Sequence, residues 1–553
     1  MFHVEQKNIN MDKKFTVSGK LVDVFNKEIY NANIEVENGK IKKIMKANTG
    51  FDNYILPGFV DAHVHIESSM LVPVNFAKAA VRNGTVATVS DPHEIANVLG
   101  IRGVEYMIEN GKKSPFKFFF GAPSCVPATP FETSGAIINS EEIKKLMDSP
   151  DIYYLAEMMN FPGVIYNDNE VLKKIEHARR VGKPIDGHAP GLEGENLKKY
   201  ASQNISTDHE CTTVDEAIAK IKAGIKIQIR EGSAAKNFEN LFPLIKSYPK
   251  QIMFCADDCH PDDLLKGHIN KIVGRAVKKG ADLFDVLAAA IINPIEHYHL
   301  PVGLLREGDD ADFIVVNDLH DFNVKQTYIN GELVYDDDRV KIKSESGNPI
   351  NYFECDYISE KDIQVDNKAG KIKVIVAYDG DLITGTEEIV AKTDGKYIVS
   401  DVDRDILKIV VVNRYGKSKP QIGFIKNFGL KKGAIAGSIA HDSHNIIAIG
   451  VSDSDIVQAV NKIISDKGGI VACYDNIEEG LKLDVAGLMS TEPAEVVAEK
   501  YHKVNKMVKE MGSTLGAPFM TMAFMALLVI PELKIGDKGL FDVSKFDFTS
   551  LYV

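Results

Sequence analysis

Between residues 59 and 258 the chain keeps a regular beat. Short apolar, β-branched runs end in polar or Gly/Pro residues, and a stretch with helical spacing of its apolar positions follows each. The runs are FVDAHVHI (59–66), TVATVSD (85–91), FKFFFGAP (116–123), YYLAEMMN (153–160), KPIDGHAP (183–190), NISTDHE (204–210), IKIQIRE (225–231) and QIMFCADD (251–258). Amphipathic stretches such as NEVLKKIEHARRVG (169–182) and TVDEAIAKIKAG (213–224) lie between them. Strands alternating with helices predict a parallel sheet. Eight such units predict an α/β fold, a closed (β/α)8 barrel.

The pattern changes on both flanks. Residues 13–55 read as short strands with an Asn-Gly turn at 38–39, and residues 311–335 repeat the style with Asn-Gly at 330–331. Two such segments on either side of a barrel predict one small β-sandwich. Beyond about residue 350 the chain is strand-rich again, through KIKVIVAYDG and LKIVVVNRYG, with a helix at SDIVQAVNKIISDKG (454–468). The expected division is residues 1–55 with 305–345 as a small β-sandwich, 56–304 as the barrel, and 346–553 as an α+β domain. The run FMTMAFMALLVI (519–530), bounded by Pro518 and Pro531, is too short to cross a bilayer and reads as a buried helix.

Polar residues sit where this barrel would open. His63 and His65 end the first strand, Asp91 and His93 follow the second, and Glu157 lies in the fourth. His188, His209, Glu231 and the pair Asp257–Asp258 end the fifth to eighth. Carboxyl ends of barrel strands form one mouth, so residues spread over nearly the whole barrel sequence converge. His63 and His65, two positions apart in a strand, share a face and can grip one cation. His188, His209 and Asp257 can add ligands, and Glu157 can bridge two ions, enough for a two-metal centre. Neutral imidazole suits zinc, iron and manganese, and carboxylates shift the balance toward harder ions. The plainer reading, of ordinary hydrogen-bonded histidines, holds for any one alone but poorly for all of them in barrel order. Asp61 reads equally as an orienting partner for a histidine or as a polar strand end.

Composition narrows the class. The 553 residues are 44% hydrophobic and 26% charged, with a formal net charge of −13. That balance speaks against a nucleic-acid backbone or an anionic membrane as partner. The six cysteines show no CxxC pair, and the opening MFHVEQKNINMDKK has no apolar core of a secretory signal, so a cytoplasmic setting is expected.

PGFVDAHVHIESSM resembles the first metal motif of the amidohydrolase superfamily. SDPHEIANVLG (90–100), APSCVPATPFETSGA (122–136), DGHAPGL (186–192), REGSAAKN (230–237), INPIEHYHL (292–300), HDSHN (441–445), AGLMS (486–490) and APFMTMAF (517–524) together resemble its adenine deaminase branch. The likeness runs over nearly the whole chain. It implies hydrolysis of adenine to hypoxanthine and ammonia in purine salvage, by metal-bound hydroxide attacking C6. It implies a binuclear centre of Mn2+ or Fe2+, with Zn2+ as an alternative, held by His63, His65, Glu157, His188, His209 and Asp257. Many relatives bridge their metals with a carbamylated lysine. YYLAEMMN has none, which leaves Glu157 as its bridging candidate. A homodimer is expected from other barrels of this kind.

The same resemblance suggests roles around the ring. Asp257 is the expected proton shuttle, with a purely structural ligand as the alternative. Asp258 is expected to accept a hydrogen bond from the purine imidazole N–H, or else to cap a loop. Glu231 is expected to hydrogen-bond or protonate a purine nitrogen, with Arg230 beside it at the substrate or paired to a carboxylate. Ser233 and its small neighbours let backbone approach a flat ring, or simply form a tight loop. His93 and Glu94 either touch substrate, hold an additional metal or start a helix after Pro92. His441–Asn445 reads as a structured polar turn, a lid or a second metal site. Two other readings stay open: a different amidohydrolase reaction, such as cyclic-amide hydrolysis or deacetylation, and a metal-barrel binding protein without catalysis.

Overall fold

The computed structural model describes residues 14–233, 235–368 and 370–553. The opening stretch MFHVEQKNINMDKK, except Lys14, lies outside them. Eight parallel strands form the barrel: β1 (Phe59–Val64), β2 (Thr85–Ser90), β3 (Lys117–Ala122), β4 (Ile152–Met158), β5 (Ile185–Gly187), β6 (Thr207–Asp208), β7 (Lys226–Arg230) and β8 (Ile252–Cys255). β1 to β5 pair in sequence, as do β6 to β8. Parallel bridges Ile185–Ile205 and Val64–Asp257 join the two runs and close the ring. Strands covered on both faces are apolar throughout, and every residue of β1 and β2 is buried. The strands are shorter than their apolar runs. β1 ends at Val64, because its register against β2 shifts between Asp61 and Val64. His65, His188 and His209 are therefore the first residues beyond their strands.

A clamp holds the closing seam. Asp257 N–H donates to the His63 carbonyl at 2.9 Å. The buried Asp61 carboxylate accepts Ala256 N–H at 3.0 Å through Oδ1, and its Oδ2 meets His268 Nε2 at 2.8 Å. His268 Nδ1 in turn meets the Thr85 hydroxyl at 2.7 Å. One carboxylate thus ties the first strand to the last, and its imidazole partner reaches the second.

The flanks share a single eight-stranded sheet. Tyr54–Pro57, which enters the barrel, pairs antiparallel with Phe313–Val316, which follows it. Leu21, Ile34, Ile55 and Phe313 are part of its core. Its two Asn-Gly turns lie against each other, with φ of +52° and +79° at Asn38 and Gly39 and +47° and +71° at Asn330 and Gly331. A Cβ at Gly39 would stand 2.7 Å from the Asn330 carbonyl oxygen, so only glycine fits there.

The C-terminal region is built on another eight-stranded sheet with Asp453–Asp466 packed on it. It rests on the barrel: Ser490 N–H donates to the Met70 carbonyl, and Asn445 Nδ2 to the Thr133 carbonyl. The apolar run at 519–530 is buried, but its helix covers only Pro518–Phe524. The buried Lys534 ammonium takes the Phe524 carbonyl at 3.0 Å and that of Leu382 at 2.8 Å. Among the described residues no helix is long and apolar enough to cross a membrane.

Removing the clamp should be costly. Asp61→Ala leaves the His268 imidazole and the Ala256 N–H buried without their acceptor, and a loss of about 3–5 kcal/mol is expected in urea unfolding. A second joint should respond to pH. Tyr501 Oη lies 2.8 Å from His260 Nδ1 at the contact between barrel and C-terminal helix Ala494–Glu510. Burial lowers the His260 pKa to about 4, against the pull of Asp262 and Asp263. Below its unfolded pKa of about 6.5, only the unfolded chain takes up that proton, so stability is lost as pH falls from there toward 4. His260→Gln should flatten this part of the stability profile of metal-stripped protein by about 3 kcal/mol between pH 7 and 4.

Candidate metal centre

The strand ends deliver their side chains to one buried cluster. His63 Nε2 and His65 Nε2 lie 3.1 Å apart. Either one proton sits between them or both turn lone pairs to a common cation. Asp257 Oδ1 lies 3.4 Å from His65 Nε2 and 3.8 Å from His63 Nε2. Glu157 stands in the middle. Its Oε1 faces His65 Nε2 at 3.5 Å, while its Oε2 faces His188 Nδ1 at 2.9 Å and His209 Nε2 at 3.2 Å. The His63 and His209 rings stack at 4.2 Å.

The surrounding carboxylates attract positive charge: against burial, Asp257, Glu157 and Glu210 raise His65, His188 and His209, which hold protons until a cation takes their place. Burial, then His209 and His65, push His63 well below the ordinary histidine range, which leaves it neutral with a lone pair to give. Glu157 is held well below the usual carboxylate range; burial opposes this, and His188 and His209 outweigh it. Donor atoms of His63, His65 and Asp257 all lie within 4.8 Å of one another, as do those of His63, Glu157 and His209. Imidazole nitrogen and carboxylate oxygen at such spacing are what zinc, iron and manganese take. His93 Nδ1, buried beside them, lies 3.2 Å from Asp91 Oδ2 and 3.4 Å from Glu157 Oε1. The residues fit divalent ions.

Arg230 and Asp258 lie at the same cavity. Arg230 pairs with Glu210 through both terminal nitrogens and gives Asp257 Oδ2 a contact of 2.7 Å. Asp257 therefore keeps Oδ1 for the histidines. Ser68 Oγ donates to Asp258 Oδ1 at 2.5 Å. His93 begins helix α1 (His93–Leu99), and its backbone N–H is capped by the Asp91 carboxylate, so its position serves both a helix start and the centre.

Two expected residues are not brought here. Glu231 follows Arg230 and leaves the mouth: its carboxylate bonds Arg275 at 2.5 Å. Glu231 N–H still donates to the Cys255 carbonyl, so the extended course of β7 runs through it, and Arg230 and Glu231 point to opposite sides. The Ser233 hydroxyl donates to Asp263 Oδ2 and accepts His260 N–H, both at 2.8 Å, which makes it a loop brace. In their place stands Glu210, which sequence reasoning passed over although it ends the same run as His209. Its Oε1 lies 3.4 Å from His209 Nε2 and 3.6 Å from His188 Nδ1. His441 and His444, from the C-terminal region, both contact Glu94, so the HDSHN stretch is neither remote nor merely a turn.

Comparison with known proteins agrees with this architecture. Residues 54–334 match the model of the amidohydrolase family, and residues 381–547 that of the adenine deaminase C-terminal domain. The chain is 54% identical over 548 residues to the adenine deaminase of Methanosarcina mazei, covering 97% of this chain and 99% of that protein. It is 55% identical over 528 residues to the adenine deaminase of Sulfurovum sp., covering 95% and 98%. For that of Salinibacter ruber the identity is 50% over 545 residues, covering 98% and 100%.

Arg230 holds two buried carboxylates with one planar fork, which an ammonium cannot reproduce. In metal-stripped protein, Arg230→Gln should cost about 3–5 kcal/mol by urea unfolding, and Arg230→Lys should recover only part of it.

Proposed function

The chain belongs to the adenine deaminase family of the metal-dependent amidohydrolases, and from that premise we propose that its barrel mouth hydrolyses adenine to hypoxanthine and ammonia. The carrying observation is the placement of Glu157, with one oxygen toward His65 and the other toward His188 and His209. That is the arrangement of a carboxylate shared by two ions. His63, His65 and Asp257 would hold one ion and His188 and His209 the other, with Glu157 common to both. Manganese or iron is the proposed metal, zinc the alternative. Divalent ions here would lower the pKa of bound water toward neutrality and stabilise charge developing at the attacked carbon.

The chain's own groups handle position and protons. Arg230 occupies Asp257 Oδ2, so Oδ1, through the lone pair it does not turn to the ion, is the oxygen that takes the proton of the attacking water and returns it to the departing amine. Water contributes its oxygen at C6, the C–N bond breaks, and the proton leaves with ammonia. Asp258, oriented by Ser68, is the proposed acceptor for the imidazole N–H of the base. Glu210 and His93 take the places that Glu231 and Ser233 cannot fill. Leu382, Phe524, Leu527 and Ile530 close the cavity from the C-terminal region and give a flat heterocycle apolar contact. A free purine base is the partner this reading calls for, with a homodimer in the cytoplasm as its setting, where six free thiols persist.

Turnover is followed by the ultraviolet change from adenine to hypoxanthine, with metal counted on the same preparation. Manganese-loaded protein should turn over adenine, and His63→Ala and Asp257→Ala should each lose about three orders of magnitude or more in kcat/KM. Bound metal without adenine turnover would reject the substrate and direct the search to cyclic amides.

A further inference from the structure

A second set of donors lies on the far side of His93 from Glu157. Glu94 Oε1 is 2.7 Å from His441 Nδ1 and 3.6 Å from His93 Nε2. Asp442 completes a ring: its Oδ2 is 4.0 Å from His93 Nε2 and its Oδ1 3.9 Å from His441 Nδ1. Two imidazole nitrogens and two carboxylates thus follow one another at 2.7–4.0 Å. Ligands bound at about 2.1 Å to one ion stand roughly 3.0–3.5 Å from their neighbours. Three edges of the ring are longer, so it would draw in on an ion; His93, Glu94 and Asp442 already offer donor atoms within 4.8 Å of one another, and His441 adjoins them through Glu94.

All four residues are at most 4% exposed. Asp442 Oδ2 is buried without a hydrogen-bond partner, and Glu94 Oε2 has only the His444 imidazole beside it. Carboxylate oxygens withdrawn from water in that way demand compensation by a cation or a donor. The outer contacts are also those of a metal site, where a ligand's second atom is held by a neighbour. His444 Nε2 faces the other oxygen of Glu94, and Asp91 Oδ2 lies 3.2 Å from the other nitrogen of His93.

We infer that His93, Glu94, His441 and Asp442 form a third divalent-cation site, separate from the pair around Glu157. It takes an ion of the manganese, iron or zinc class. It stands on its own donors and does not depend on the substrate assignment. His93 connects it to the centre, since its Nδ1 lies 3.4 Å from Glu157 Oε1. Two of its ligands come from α1 at the barrel mouth and two from the C-terminal loop, so the ion pins that loop to the barrel.

The test loads the full chain with manganese, removes the excess by gel filtration and counts metal by mass spectrometry. About three ions per chain are expected, falling to about two in Asp442→Asn and in Glu94→Gln. The double variant His63→Ala/His209→Ala, stripped of ligands for the pair, should retain about one. Equal manganese in wild type and Asp442→Asn overturns the site. A double variant that loses no metal counts instead against the binuclear reading of the centre. Crystals of the wild-type chain give an answer free of any folding defect: an anomalous manganese peak between Glu94 and Asp442 is expected, and none there overturns the inference.

Discussion

Everything at the mouth depends on the seam between β1 and β8. His63 and His65 belong to the start of the barrel and Asp257 to its end, and no local structure brings them together. The backbone bond from Asp257 to the His63 carbonyl does, and Asp61 reinforces it by holding Ala256. A slip of one residue along that seam would turn Asp257 away from the histidines, because side chains alternate along an extended chain. Asp61, which reads equally in the sequence as an orienting partner or a strand end, therefore acts on the backbone that sets the geometry. Its imidazole contact is His268, not a residue of the cluster.

The C-terminal region finishes what the barrel begins. A barrel mouth is open by construction, and chemistry with charged groups runs better where water is displaced. Phe524 stacks on His441 at 4.5 Å, so the apolar cover and the polar loop of this region are packed as one body. Lys534 joins the carbonyls of Leu382 and Phe524 from behind. Its burial lowers its pKa to about 7. A lysine with carbonyl partners in that position fixes two cover segments relative to each other without entering the cavity.

How much of this was legible in the sequence follows from what each signal encodes. The barrel was legible because its period is local: apolar run, turn, helix. The histidines were legible because a polar side chain ending an apolar strand has few other reasons to be there. Glu231 pairs with Arg275 instead because the extended course of β7 continues through it and alternation sets it opposite Arg230, which the run of residues alone does not display. Glu210 was overlooked for the converse reason. It lies just past the end of β6, where the chain leaves the strand and alternation no longer holds, so it and His209 both turn inward. The partnership of Glu94 with His441 and His444 spans about 350 residues and two domains, a distance over which no periodic pattern carries information.

Charge balance gives a physical reason for a mouth of this composition. Asp91, Glu94, Glu157, Glu210, Asp257 and Asp442 are all buried there. Among the described residues Arg230 is the only lysine or arginine paired with any of them. Histidines can carry part of the remaining charge, but those that ligate metal must stay neutral. A fold that buries so many carboxylates against one guanidinium is unfavourable unless cations of higher charge join it. Divalent ions answer that demand with the fewest groups. The excess acid at the mouth and the metal chemistry of the family are then one fact: the same carboxylates that destabilise the empty barrel give the loaded one its affinity, and folding and metal uptake are coupled through them.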